Sequence, residues 1–326
     1  MIRRNLTALC GVLLACSQSF GWGAKGHEVV SYVGGQITYA NGAAFWQANV
    51  DGLRQLSTVP DRVWKAPSTK ANEGYNHFFQ ADSYFTDPTS AVMATFPKAY
   101  TDAVNRYGET AILKNGTGPW RVVELYQLAM NSFRQGDTKS GLEYAGTMSH
   151  YIGDMSQPLH VAENYDGQET GQTGIHAWFE TKNIEDEMSI RAEVGQRAEA
   201  LLRDPNFTQQ FNGDLMDILY NEISRSVAKR DELLANDKQY GRSGQGKQVQ
   251  LNLAEDRMAD GAATLAVILT HLAQDGAIAD NATPVPIDDP QWVPNLYQGN
   301  SNPAAPASPM MTSLVQSPME DDCAQL

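Results

Sequence analysis

Five of the chain's six histidines lie at short intervals from carboxylates: His27, Asp61 and His77, then His150-x3-Asp154-x5-His160, then His176-x3-Glu180. Neutral imidazole and carboxylate are the donors that a borderline divalent cation such as zinc takes as ligands. A single HxxxD or HxxxE is an ordinary helix feature, a histidine bonded to a carboxylate one turn away. Two of them, with three more histidines near carboxylates, point to a polynuclear metal site. His271 has no such partner and reads as a core or surface histidine.

The elements that must position these groups read as helices. On a helix, His150 and Asp154 project from one face, and so do His176 and Glu180. Gln157-Pro158 should end the first of these helices and re-aim the chain so that His160 joins a neighbouring metal position. Apolar residues recur at helical spacing, as in Val29, Val30, Val33 and Ile37, or Val122, Leu125, Leu128 and Ala129. Further helices are expected over about 98–113, 139–154, 175–202, 209–234 and 248–272. No alternating strand pattern competes, so the fold class is all-α, one multi-helix domain over 22–280. Residues 51–96 are rich in Pro, Asn, Gly and Ser and read as a long irregular loop that still contributes Asp61 and His77.

Composition limits the rest. The formal charge of -14 argues against a broad basic face for duplex DNA. It does not exclude a nuclease, because clustered cations can grip a phosphate. Residues 1–21 read as a secretory signal: Arg3 and Arg4, an apolar run from Leu6 to Ala15, then Ser19-Phe20-Gly21 at the cleavage site. A lipoprotein box at Leu13-Leu14-Ala15-Cys16 is the competing reading. Cleavage after Gly21 leaves Cys323 as the one cysteine, so no internal disulfide is expected and the protein should be secreted. Residues 281–326 hold eight prolines and read as a partly disordered tail.

The segment His150-Tyr-Ile-Gly-Asp154-Met-Ser-Gln157-Pro158-Leu-His160 resembles the HYxGDxxQPxH motif of the superfamily that joins bacterial zinc-dependent phospholipases C with single-strand-specific zinc nucleases. The resemblance runs from Trp22 to about Leu272. It implies a cleft with three zincs: one on Asp61, His77, His150 and Asp154; a second on His160, His176 and Glu180; a third on the Trp22 amine and carbonyl, His27 and Asp154. Asp154 would bridge two cations. In the family the mature chain begins with tryptophan, and Trp22-Gly-Ala-Lys-Gly-His27 fits this directly after the cleavage site.

The same resemblance implies phosphodiester hydrolysis by metal-activated hydroxide, with Asp61 as the residue that orients or deprotonates the water. Three features favour phospholipase C, cleaving the glycerol-side phosphodiester of phospholipids at a membrane surface to diacylglycerol and a phosphorylated headgroup. The last ligand is Glu180, as in the lipases, where the nucleases carry Asp; the interval from His160 to His176 is short; and the disulfides common in the nucleases are missing. Lys25, Arg62 and Gly74 depart from the positions that cage a choline in the lipases, so Lys25 and Arg62 hint instead at an anionic headgroup. Phe78, directly after His77, would serve either chemistry as a substrate-binding aromatic. The alternative is a zinc endonuclease and 3′-nucleotidase acting on single-stranded DNA and RNA. A non-enzymatic zinc-binding or adhesion module is the third reading, and no obligate protein partner is inferred.

Overall fold

A computed structural model describes residues 22–40, 42–66 and 73–290, together with the backbone of Met310–Met311. The expected leader, Asn41, residues 67–72 and most of the tail lie outside the described residues. Eleven longer helices carry the described fold: α1 (Ala24–Gln36), α2 (Ala43–Ala48), α3 (Val50–Leu56), α4 (Tyr100–Tyr107), α5 (Glu109–Asn115), α6 (Gly118–Arg134), α7 (Thr138–Ser156), α8 (Glu187–Arg203), α9 (Leu215–Val227), α10 (Arg230–Tyr240) and α11 (Gln245–Asp275). The fold class is all-α, as the periodicity predicts. The described strand content is one two-residue antiparallel pair, Gly213–Asp214 with Met310–Met311.

The core forms around α7, which packs against α1, α3, α6, α9 and α11. It is buried almost from end to end because apolar Leu142, Ala145, Met148, Ile152 and Met155 share its length with small Gly141, Gly146 and Gly153. Glycine lets neighbours come close: a Cβ on Gly146 would lie 2.5 Å from Leu56 of α3. Asp137 caps the start of α7 by accepting from Ser140 N at 3.1 Å. The end comes where the sequence predicts it. Gln157 takes an extended conformation, φ -86° and ψ 120°, which the ring of Pro158 demands of the residue before it.

Several expected helices divide at breakers. The stretch over 98–113 becomes α4 and α5, parted at Gly108 with φ 83°. The stretch over 175–202 becomes a single turn Ile175–Ala177, a π-turn Trp178–Lys182, and then α8, which Asp186 caps anew by accepting from Ser189 N. The region expected to be an irregular loop, 51–96, holds α3, a π-turn at Pro60–Trp64 and two 3₁₀ turns, Gly74–His77 and Ala81–Ser83. Residues 279–290 have no regular secondary structure, yet they do not leave the body as a Pro-rich tail would. They lie across α2, α3 and the first π-turn, with Val285 and Ile287 packed on the core. Among the described residues, no helix is long and apolar enough to cross a membrane.

Candidate metal centre

Asp154 and His150, both fully buried on one face of α7, form the floor of the site. Asp154 Oδ2 is 3.2 Å from His150 Nε2 and 3.2 Å from His77 Nδ1, and those two ring nitrogens are 2.8 Å apart. The other carboxylate oxygen, Asp154 Oδ1, faces His27 Nε2 from α1 at 3.4 Å. The His27 ring stacks on the His150 ring, centroids 3.8 Å apart. Asp61 enters from the first π-turn, its Oδ1 3.6 Å from His77 Nδ1 and 3.9 Å from His150 Nε2. A second cluster is made by His160, His176 and Glu180. His176 Nε2 is 2.9 Å from His160 Nε2 and 2.8 Å from Glu180 Oε2, and His160 Nε2 is 3.7 Å from the same oxygen. Both clusters therefore draw a carboxylate from a π-turn, a distortion that aims a side chain out of helical register.

The backbone selects which ring nitrogen faces inward. His150 Nδ1 lies 2.7 Å from the Ser57 carbonyl, His176 Nδ1 lies 2.8 Å from the Tyr165 carbonyl and His160 Nδ1 lies 2.5 Å from the His77 carbonyl. Donating there, each ring keeps its Nε2 lone pair for the cluster. His77 is turned the other way, with Nδ1 inward and Nε2 3.3 Å from Glu73.

These donors fit a zinc-like cation. Tetrahedral ligands about 2.1 Å from an ion are about 3.4 Å from each other, and the contacts above bracket that value. His27 Nδ1 and Nε2 and Asp154 Oδ1 are buried and make no hydrogen bond within the chain. Unsatisfied polar atoms in a protein interior are costly. A cation against His27 and Asp154 Oδ1 satisfies two of them at once. Three groups of donor atoms come together within 4.8 Å: His27, Asp61 and His150; His77, His150 and Asp154; His160, His176 and Glu180.

The electrostatics favour neutral donors at two of the histidines, while at a third, His150, burial is outweighed by Asp154 and Asp61, which raise it. Burial, with His150 nearby, lowers His27 to about 4, and burial likewise lowers His176 to about 4, so both are neutral near pH 7 with lone pairs available. Burial pushes Glu180 up to about 8, only partly opposed by His160. A cation in that cluster would return it to the ionised form and release a proton. Burial also pushes against ionisation of Asp61, but His150, Lys65 and His77 outweigh it and hold the carboxylate well below its ordinary range. Asp154 is held low in the same way by His150 and His160.

Every histidine and carboxylate anticipated from the motifs is thus in one of two adjoining clusters. Trp22 is fully buried beside them, its Nε1 donating to Ser156 Oγ at 2.9 Å and its ring 5.5 Å from Phe179. The three anticipated substrate contacts are placed differently. Phe78 follows His77 and is half-buried; Lys25 Nζ donates to the Glu185 carbonyl at 2.8 Å; Arg62 pairs with Asp289 at 2.7 Å. Both cations thus already have an oxygen partner. Two residues went unread in the sequence. Glu73 is fully buried behind His77, and Lys65 Nζ is 2.6 Å from Asp61 Oδ1. Each had a signal: Glu73-x3-His77 and Asp61-x3-Lys65 repeat the one-turn spacing of His150 with Asp154 and of His176 with Glu180.

Comparison with known proteins adds little to this geometry. No family model matches the chain. A protein described as a probable serine protease from Bradyrhizobium tropiciagri is 33% identical over 42% of this chain and 24% of its own, so the chain spans about a quarter of that relative's length. Among solved structures, the alpha toxin from Clostridium absonum is similar with a TM-score of 0.48 and 16% identity, over 80% of this chain and 66% of that one. The alpha-toxin from the avian strain SWCP of Clostridium perfringens has a TM-score of 0.43 and 14% identity, over 81% and 66%.

Proposed function

We propose that the chain is a secreted, zinc-dependent phosphodiester hydrolase of the phospholipase C type, releasing diacylglycerol and a phosphorylated headgroup. The observation that carries the hydrolase reading is the gathering of His27 on one side of Asp154 and of His77, His150 and Asp61 on the other, beside the cluster of His160, His176 and Glu180, with buried polar atoms that make no hydrogen bond within the chain. Zinc bound there would supply Lewis acidity for a phosphoryl oxygen and lower the pKa of water toward neutrality. The chain's own residues do the positioning. Asp154 offers one oxygen to each side, and the backbone carbonyls of Ser57, His77 and Tyr165 hold three rings in place. Asp61, paired with Lys65 at 2.6 Å beside His77 and His150, is placed to hold a cation and orient the nucleophile.

The lipid substrate is supported by the motif resemblance, by Glu180 as the final ligand and by the absence of cysteine between Cys16 and Cys323. We propose three zincs, the third held by His27, Asp154 and the backbone of Trp22 as the mature N-terminus. The test is a parallel assay of the zinc-loaded protein on mixed phospholipid vesicles and on single-stranded DNA. Diacylglycerol release that stops with chelator and returns with zinc is expected. Rapid DNA cleavage without diacylglycerol would assign the nuclease chemistry instead.

A further inference from the structure

Residues 281–290 approach the centre from outside, and their contacts converge on the turn that carries Asp61. The inward-facing positions alternate: Val285, Ile287 and Asp289 are partly buried between exposed Pro284, Pro286 and Asp288, the period of an extended chain lying on a surface. Asn49, at the junction of α2 and α3, grips the strap from both sides, accepting from Val285 N at 2.7 Å and donating to the Thr283 carbonyl at 3.2 Å. At the far end, one carboxylate joins two elements. Asp289 accepts from Gln55 of α3 at 3.2 Å and from Arg62 of the π-turn at 2.7 Å. The next residue, Pro290, offers its carbonyl to Trp64 Nε1 at 3.4 Å.

The first π-turn needs such support. It carries Asp61 directly ahead of Arg62 and three residues before Trp64, the two side chains that the strap contacts. Asp61 must come to rest near His77 and His150 while also pairing with Lys65. Ligand positions in a metal site tolerate errors of only about 0.2 Å. A half-exposed ion pair such as Arg62–Asp289 contributes little to global stability, but it can set where a short turn sits.

We propose that the strap is part of the metal centre, with Asp289 a positioning residue that acts on Asp61 through Arg62. This rests on the reading of Asp61 as a metal ligand. The test uses the full mature chain and measures zinc affinity by chelator competition and the visible spectrum of the cobalt-substituted protein. Asp289→Ala should weaken one zinc by about 10-fold or more, the lower end of what removing an outer-shell partner costs, and alter the cobalt spectrum while leaving the thermal midpoint within a few degrees. Asp289→Glu should restore most of the affinity. Asp61→Asn must weaken the same zinc. If Asp61→Asn does so and Asp289→Ala leaves zinc affinity and spectrum at wild-type values, the strap proposal is overturned and the metal reading stands. If Asp61→Asn retains every zinc at wild-type affinity, both are overturned.

Discussion

The carboxylate of Glu73 lies 3.3 Å from His77 Nε2, the ring nitrogen that faces away from Asp154. Glu73 is in turn held by Arg121 at 2.7 Å and by the Tyr151 hydroxyl. Burial would raise its pKa, but Arg121 and His77 outweigh that and lower it to about 2, so it is ionised. A carboxylate behind a ligating imidazole fixes its orientation and raises its basicity. Glu73→Gln should therefore weaken zinc binding by about 10- to 100-fold. Because Arg121 keeps Glu124 at 3.3 Å, the fold should survive. Isothermal titration with zinc checks this; a lower melting temperature with unchanged affinity would reduce Glu73 to a structural ion-pair partner.

Asp154→Asn should cost more than one equivalent of zinc. The two Asp154 oxygens serve different neighbours, His27 on one side and His77 with His150 on the other, and an amide nitrogen has no lone pair to offer one of them. His176→Ala should cost about one. Elemental analysis after gel filtration distinguishes the two variants, and equal losses would refute a shared carboxylate.

Gly153→Ala tests the packing of His27. In a helix interior this change normally stabilises by about 1 kcal/mol. Here the new Cβ would lie 3.0 Å from His27 Nδ1 and 3.6 Å from the Trp22 ring. His27 cannot retreat easily, because it is stacked on His150. The expected result is loss of the cation near His27 and Trp22 with a melting temperature of the metal-free protein close to wild type. Full zinc content would show that the helices give way instead.

Acid stability should depend on a second buried cluster remote from the ligands in sequence. Asp260 accepts two bonds from Arg225 and one from Arg257. Burial opposes its ionisation, yet the two guanidiniums prevail and lower it from the ordinary 3.8 to about 2. A depressed carboxyl contributes its stability fully above the unfolded value and loses it as pH falls through the folded one. Roughly 2 kcal/mol should therefore disappear between about pH 4 and pH 2. Urea unfolding of the metal-free protein across that range measures the slope. Asp260→Asn should be less stable at pH 7 by about 3–5 kcal/mol, since it leaves buried guanidiniums unpaired, and should show a flatter acid limb; an unchanged limb would remove Asp260 from the explanation.

Much of the candidate site was legible because donor side chains one turn apart advertise themselves. His150 with Asp154 and His176 with Glu180 needed only helical periodicity, and Pro158 marked the break that returns His160. The helix boundaries were less legible where local signals compete. Gly108 parts two helices that apolar spacing alone would join, and Asp186 restarts a helix inside a stretch that reads as continuous.

The strap and the protein partners of Lys25 and Arg62 lay beyond such reading. Proline-rich composition does predict a chain without helices, and residues 279–290 have none. It says nothing about whether such a chain docks. That depended on Asn49, Gln55, Arg62 and Trp64 presenting partners along one edge, a long-range coincidence of side chains more than 200 residues from the strap.

By itself, then, the sequence determined the helical class, the donor atoms and the chemistry that those donors suit, because these follow from residue type and local periodicity. Only the tertiary structure decided which ring nitrogen faces inward, that Asp154 stands between His27 and His77, and that Glu73 and Asp289 support the groups around them. Those outcomes depend on distances between segments far apart in the chain, and such distances are set by how the helices pack.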